Sequence, residues 1–142
     1  MNAYMETFRG VVYPWHCDHQ GHMTTMHYVG MFDQAFWHHT SALGFTRAYM
    51  DAHHSGFVDV RDTLEYRLEQ PVGSLIVIES GLLKVGSTSI TMFHRMRNAE
   101  TGDLAATSET ISVYFDVEAR CKVRLPEALR AGMAANIVTR DD

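Results

Sequence analysis

The sequence predicts an α+β fold: one strand, a strongly apolar helix, then about four consecutive strands. Three observations carry this. Apolar residues recur at helical spacing from Met26 to Leu43. Beyond residue 57 the pattern changes to β-branched, strand-like runs. Breakers at Pro71–Gly73 and Glu100–Asp103 cut that second half into strand-length pieces. The simplest packing wraps a curved antiparallel sheet of about five strands round the long central helix.

Taken in order, residues 5–13 (METFRGVVY) read as the first strand, and 14–22 as a loop holding a Pro, a Gly and most of the nearby histidines. In the helix Met26–Leu43, Val29, Phe32, Phe36 and Leu43 share one stripe. Met31, Ala35, Trp37 and Ala42 widen the apolar area, so burial on several sides is expected. Gly44 is its stop signal. A shorter helix over Thr46–His53 is expected to close at Gly56. Residues 57–69, 74–85 and 87–98 read as strands, the last with Ile90, Met92, His94 and Met96 on one face and Thr91, Phe93, Arg95 and Arg97 on the other. Glu100–Asp103 makes a hairpin turn into strand 104–117, where Ile111, Val113 and Phe115 share a face. Pro126–Ala134 reads as a short helix with Pro in its first turn. One small sheet leaves edges and a face open, so association of copies is expected.

Composition narrows the class. The 142 residues, 46% hydrophobic and 20% charged, are expected to form one soluble domain over 1–142. No apolar run reaches the ~20 residues of a membrane helix, and MNAYMETFRG lacks the basic-then-apolar pattern of a signal peptide. Cys17 and Cys121 are isolated, which fits a reducing cytoplasm. A net charge of -5 argues against a general nucleic-acid surface. Neither nucleic acid nor membrane is expected as a partner.

The stretch WHCDHQGHMTTMHY, Trp15 to Tyr28, concentrates the chemistry: four histidines, one cysteine and one aspartate. HxDHxxH is not a standard ligand spacing and lacks the helical HExxH geometry, so no metal is assigned. Asp18 either accepts hydrogen bonds from loop N–H groups or serves as an acid–base group. His22 reads as a loop histidine bonded to backbone. Thr25 either caps the helix or orients a water. His38 and His39 fall late in the helix, where a protonated ring suits the dipole. His53 and His54 read as an exposed helix end. His94, on an apolar strand face, reads as a satisfied core residue.

Trp15-x-x-Asp18-x-x-Gly21-His22-Met23, then Tyr28 and Phe32-Asp33-x-Ala35, resembles the opening of the hotdog-fold acyl-CoA thioesterases of the 4-hydroxybenzoyl-CoA thioesterase type. Later segments agree: Tyr66-Arg67-Leu68-Glu69-x-Pro71, Gly86-x-x-Ser89-Ile90, Thr101-Gly102-Asp103-Leu104-Ala105 and Val117 to Pro126. The resemblance implies a hotdog fold, a homodimer or homotetramer, and hydrolysis of an acyl-CoA without metal or cofactor. Such chemistry needs a polarised carbonyl and an activated water or attacking carboxylate, with helix N-terminal N–H groups near Thr25–Tyr28 as the oxyanion site.

The sequence departs from the family at the position of the first acid of Asp-x-Asp-x-x-Gly, where His16 stands and only Asp18 remains. Thr24-Thr25 replaces the usual Asn-Asn. Three accounts stay open: His16 is the base, with an unperturbed pKa near ~6.5; Asp18 takes over; or hydrolysis is lost and binding kept. Asp33 is a further acid candidate, since a second hotdog type works from this helix. A hotdog dehydratase or hydratase is the rival enzyme. Trp15, Tyr28 and Phe32 are expected to line the acyl pocket beside His22. Arg120, Lys122 and Arg124 alternate along an extended segment and suit the phosphates of CoA, reached across a subunit interface; Arg95 and Arg97 are a second candidate pair.

Overall fold

The computed structural model describes residues 2–142. Strand β1 (Met5–Val11) leads through one 3₁₀ turn, Pro14–His16, to helix α1 (Thr25–Ala42) and helix α2 (Arg47–His53). Strands β2 (Ser55–Tyr66), β3 (Leu75–Val85), β4 (Ser89–Asn98) and β5 (Leu104–Asp116) follow, then the two-residue β6 (Cys121–Lys122) and helix α3 (Glu127–Ala134). The sheet order is β1-β3-β4-β5-β2, antiparallel throughout, with β6 against the end of β5. Register shifts in the pairings of β1, β2 and β3, such as that between Asp59 and Arg61, help the sheet to bend.

Helix α1 lies against the curved sheet because its apolar stripe matches the sheet's inner face. Tyr28, Met31, Phe32, Ala35 and Phe36 are buried on Ile76, Ile78, Met92 and Met96. Each Phe, Met or Ile among them contributes about 1.5–3 kcal/mol by leaving water. The helix stops as its glycine requires. Phe45 N–H donates to the Thr40 carbonyl at 2.9 Å and Gly44 N–H to Ser41 at 3.1 Å, with Gly44 at φ 105. This is a Schellman closure, and only glycine takes that backbone without strain.

Several boundaries differ from the sequence reading. Helix α2 closes on His54, at φ 47, and Gly56 continues into β2. Its start is as read: the Thr46 side chain accepts from Tyr49 N–H. Strand β2 begins earlier and ends at Tyr66, since the N–H groups of Arg67 and Leu68 both turn to the Ala105 carbonyl. Pro126 precedes α3 as its cap residue rather than sitting in its first turn.

A buried polar row crosses the inner face beneath α1. Thr7 Oγ1 donates to the Ile78 carbonyl at 3.3 Å and lies 2.7 Å from Ser80 Oγ, which lies 2.6 Å from His94 Nδ1. The direction follows from the carbonyl end. Thr7 gives its proton to Ile78, so Ser80 donates to Thr7 and His94 Nδ1–H donates to Ser80. His94 Nε2 therefore carries a lone pair, and it has no partner among the described residues. Half of the satisfied-core expectation holds: His94 is 1% exposed but bonded on one side only. His39 corrects the dipole reading. It is buried, not a protonated helix end, and burial pulls its pKa down to about 4.

The outer face is covered by the chain's last residues. Val138 N–H bonds to the Leu82 carbonyl at 2.9 Å, Arg140 lies 4.4 Å over the Phe93 ring, and Arg140 pairs with Glu109 at 3.0 Å. Arg95 and Arg97 both hold Glu79, and Arg95 also holds Asp141, so this candidate phosphate pair is already engaged. Among the described residues, two open surfaces carry exposed apolar side chains that matter here. One is the outer edge of β2, with Val58 and Val60; the other is the solvent side of α1, with Met26, Val29 and Trp37. The helix is thus buried on one side, not on several. No helix among the described residues is long and apolar enough to cross a membrane.

Candidate active site

The loop between β1 and α1 is folded on itself before it meets the helix. Asp18 N–H donates to the His22 carbonyl at 3.1 Å and Gly21 N–H to the Asp18 carbonyl at 3.0 Å, with Gly21 at φ 84. Met23 N–H then reaches the Gln70 carbonyl at 2.9 Å, and Thr24 N–H the His16 carbonyl at 2.9 Å. Gln70 is itself buried and bonded to Asn98. The loop is therefore pinned between the start of α1 and the segment after β2.

This framework separates the two base candidates. His16 faces the β1 side of α1, in a pocket of about 210 Å³ with Phe8, Val11, Tyr13, His27 and Met31. Its Nδ1 accepts the Tyr13 backbone N–H at 2.9 Å. Burial, and then the His27 ring at 4.9 Å, hold its pKa below the ordinary value. A neutral His16 must carry its proton on Nε2, so as placed it donates rather than accepts.

Asp18 faces the other side, in a pocket of about 270 Å³ with His22, Thr25, Tyr28, Tyr66 and Glu69. Its Oδ1 accepts Gln20 N–H at 2.8 Å, the local turn bond that the residue type invites. The carboxylate is otherwise open to solvent. His22 Nε2 pairs with Glu69 Oε2 at 3.1 Å, so its side chain meets a carboxylate and not the backbone. Tyr28 is 5% exposed and packs edge-on to Tyr66 at 5.2 Å. Burial raises the Tyr28 pKa, so the phenol stays neutral.

Thr25 does not cap the helix. Thr24 occupies the cap position, and its side chain makes no cap hydrogen bond. The first-turn N–H groups of α1 lie outside the intrahelical ladder, and of these residues Thr25 lines the Asp18 pocket. Trp15 leaves the expected apolar lining. It is 69% exposed and stacks on Tyr13 at 4.6 Å.

Phe32 lines a third pocket of about 320 Å³ between α1 and β2, with Phe36, Leu64, Ser108 and Thr110. Three carboxylates share it: Asp33 on α1, and Asp59 and Asp62 on β2. Partial burial pushes the Asp59 pKa up, the hydrogen bond from Ser112 opposes this, and Asp62 and Asp33 add repulsion. Of these acids the sequence reading singled out Asp33 alone. The signal was there, in two acids three residues apart in VDVRD on a strand edge, but nothing in the period says that they face a helix.

The basic residues are placed differently from the sequence reading. Arg120 sits in the β5–β6 turn at φ 59, not in an extended run, while Lys122 belongs to β6. Both are at the Phe115 end of β5, whereas Tyr66 beside the Asp18 pocket pairs with Ala106 at its other end. The nine residue steps from Ala106 to Phe115 span roughly 30 Å, so in one chain these cations are remote from Asp18. Among the described residues, no group of three or more His, Cys, Asp or Glu side chains is arranged to share a metal ion.

A curved antiparallel sheet round one long helix, with an acid loop at the helix start, defines a hotdog-fold protein. The chain belongs to the thioesterase-like superfamily, whose sequence profile matches residues 12–133. It is 28% identical over 114 residues to an L-carnitine dehydrogenase/betainyl-CoA thioesterase of Rhizobium meliloti, covering 80% of this chain and 23% of that protein. The chain thus spans about a quarter of the length of the curated relatives it matches. A Staphylococcus aureus protein solved in complex with CoA superposes with a TM-score of 0.89 at 16% identity, over 99% of this chain and 90% of that one. A 1,4-dihydroxy-2-naphthoyl-CoA thioesterase from Synechocystis gives 0.77 at 15% identity, over 89% and 93%. These likenesses establish the fold.

Proposed function

We propose that the chain is an acyl-CoA thioester hydrolase working by general-base attack of water, with Asp18 as the base. One observation carries the reading: Asp18 and the uncapped start of α1 share a pocket with Thr25 and Tyr28. Asp18 takes a proton from water as the oxygen attacks the thioester carbonyl carbon. The developing oxyanion meets the Thr25 and Met26 N–H groups and the positive end of the helix. The carbon–sulfur bond then breaks, the CoA thiolate takes up a proton, and the free acid leaves. His16 donates from the far side of the helix start and is not the base. His22, tied to Glu69, orders the rim, and Thr25 and Tyr28 line the pocket. No cofactor or metal enters this route. Membership of a thioesterase-like family, and relatives named for CoA-thioester hydrolysis, support it.

The pocket between α1 and β2 is the acyl site in this reading, with Phe32 as its apolar wall. Its three carboxylates favour an acyl group carrying positive charge. The betainyl group in the relatives' name is such a group, a quaternary ammonium.

The chain acts as one hotdog unit over 1–142 and pairs as a homodimer. The open β2 edge and the exposed apolar residues Val58, Val60, Met26 and Val29 favour a second copy there. Antiparallel pairing of the two β2 strands brings Arg120 and Lys122 of one copy towards the Asp18 pocket of the other. Both cysteines are free, which fits a cytoplasmic setting.

The test is product analysis. Wild-type protein is mixed with a panel of cationic, neutral aliphatic and aryl acyl-CoAs, and free acid and CoA are followed by mass spectrometry. Equimolar acid and CoA support hydrolysis. A hydrated or dehydrated CoA ester points to the hydratase class, and intact ester bound without turnover to a binding protein.

A further inference from the structure

We propose that Asp142 is a positioning residue for the reaction: it ties Arg67 to the segment that covers the outer face, and so keeps a guanidinium off the Asp18 carboxylate. The proposal rests on the reading of Asp18 as the base. Among the described residues that line the Asp18 pocket, Arg67 is the one lysine or arginine. A guanidinium turned onto that carboxylate stabilises its anion and weakens it as a proton acceptor.

The backbone fixes where Arg67 starts. Its N–H donates to the Ala105 carbonyl at 2.8 Å, which holds the residue just beyond the end of β2. From there the guanidinium has acids within the pocket and acids outside it. The structure shows it on those outside. Arg67 Nη2–H donates to Asp142 Oδ2 at 3.2 Å, and Glu65 Oε2 lies 3.7 Å away. Within the pocket Glu69 is taken by His22. Asp18 is therefore the pocket acid open to a released Arg67.

Asp142 is itself held in place. Arg140 donates Nε–H and Nη2–H to its two carboxylate oxygens at 3.3 Å and 3.0 Å. Arg140 Nη2 also lies 3.5 Å from Glu65 Oε1. Glu65, Arg67, Asp142 and Arg140 thus close a ring of alternating charge. Its fourth member is anchored to the sheet through Glu109 and the face of Phe93. A network of this kind keeps its geometry better than an isolated surface pair. The Arg140 hydrogen bond, with Arg67 beside it, holds the Asp142 carboxyl below the usual carboxylate range, so it stays charged.

The covering segment does not depend on Asp142 for its place. Asn2 Nδ2–H donates to the Ala135 and Ile137 carbonyls at 2.8 Å and 3.0 Å, and Tyr4 O–H to the Thr139 carbonyl at 3.0 Å. Val138 N–H holds the Leu82 carbonyl. Truncating the Asp142 side chain therefore releases Arg67 and leaves the segment where it is.

The experiment is the pH profile of thiol release from the preferred acyl-CoA by wild type, Asp142→Ala and the double variant Asp142→Ala/Arg67→Gln. Circular dichroism confirms that each is folded. Asp142→Ala is expected to lower kcat several-fold and to move the acid limb of kcat/KM down by about one pH unit. The double variant is expected to return the limb to its wild-type position. An unmoved limb in the single variant, or a shift that Arg67→Gln does not reverse, would overturn the proposal. Carbon-13 NMR titration of the Asp18 side-chain carboxyl, assigned with Asp18→Asn, gives a readout without turnover. A midpoint lowered in Asp142→Ala upholds the arrangement even where no acyl-CoA is hydrolysed, and then the hydrolase reading alone fails. Equal midpoints in wild type and variant overturn the arrangement itself.

Discussion

The backbone N–H of Tyr13 points at Nδ1 of His16 across 2.9 Å. That one bond assigns the tautomer and makes the neutral ring a donor at Nε2. His16→Gln is therefore expected to keep kcat within about tenfold, because losing a general base costs 10²–10⁴-fold. Steady-state thiol release on the preferred acyl-CoA measures this, and a loss of a thousandfold or more in the variant would restore His16 as the base.

Acid should weaken the fold through two buried histidines. Burial lowers the pKa of His39 to about 4; burial, with His39 nearby, lowers that of His94 to about 3. Both are neutral in the folded chain, while the unfolded chain takes up protons below ~6.5. Stability is thus fully present above ~6.5 and falls as pH drops towards 4, by about 1.4 kcal/mol per pH unit for each group. In urea titrations at pH 7 and pH 5, His39→Phe is expected to lose less stability on acidification than wild type. An identical loss would mean that His39 does not carry it.

Gly44 holds a left-handed backbone that its Schellman bonds require. Gly44→Ala is expected to cost about 1 kcal/mol and to lower Tm by roughly 3 °C, read by calorimetry. An unchanged Tm would show that α1 closes by another route.

Val60 sits on the open β2 edge and is 61% exposed. A charge there should disfavour pairing between copies. Val60→Lys is expected to shift sedimentation from dimer to monomer and to reduce turnover. A monomeric wild type of full activity would contradict the pairing.

The three acids of the acyl pocket predict charge discrimination. Asp62→Asn is expected to lower kcat/KM for a trimethylammonium acyl-CoA about tenfold relative to its neutral tert-butyl analogue. Equal changes for both substrates would assign Asp62 a structural role.

Fold and site were unequally legible in the sequence. Phe32, Phe36 and Leu43 repeat at helical spacing and are buried on one side of α1, and Ile90, Met92, His94 and Met96 alternate as a strand face and are buried together. Period reports burial directly. It cannot report which strands lie side by side, so Asp59 and Asp62 gave no sign of facing Asp33 across the α1–β2 pocket. Nor does it report tautomers. His16 and Asp18 are two residues apart in sequence yet line pockets on opposite sides of the helix start, His16 closing the 3₁₀ turn and Asp18 opening the turn at Gly21. The basic run 120–124 misled for a similar reason: alternation presumes an extended chain, and Arg120 is in a turn.

The central claim is that Asp18 activates water on an acyl-CoA thioester. The most direct measurement is thiol release by wild type and Asp18→Asn, with circular dichroism confirming that both are folded. The account predicts steady release by wild type and a loss of at least about 100-fold in kcat for Asp18→Asn. Undiminished release by the variant would contradict it.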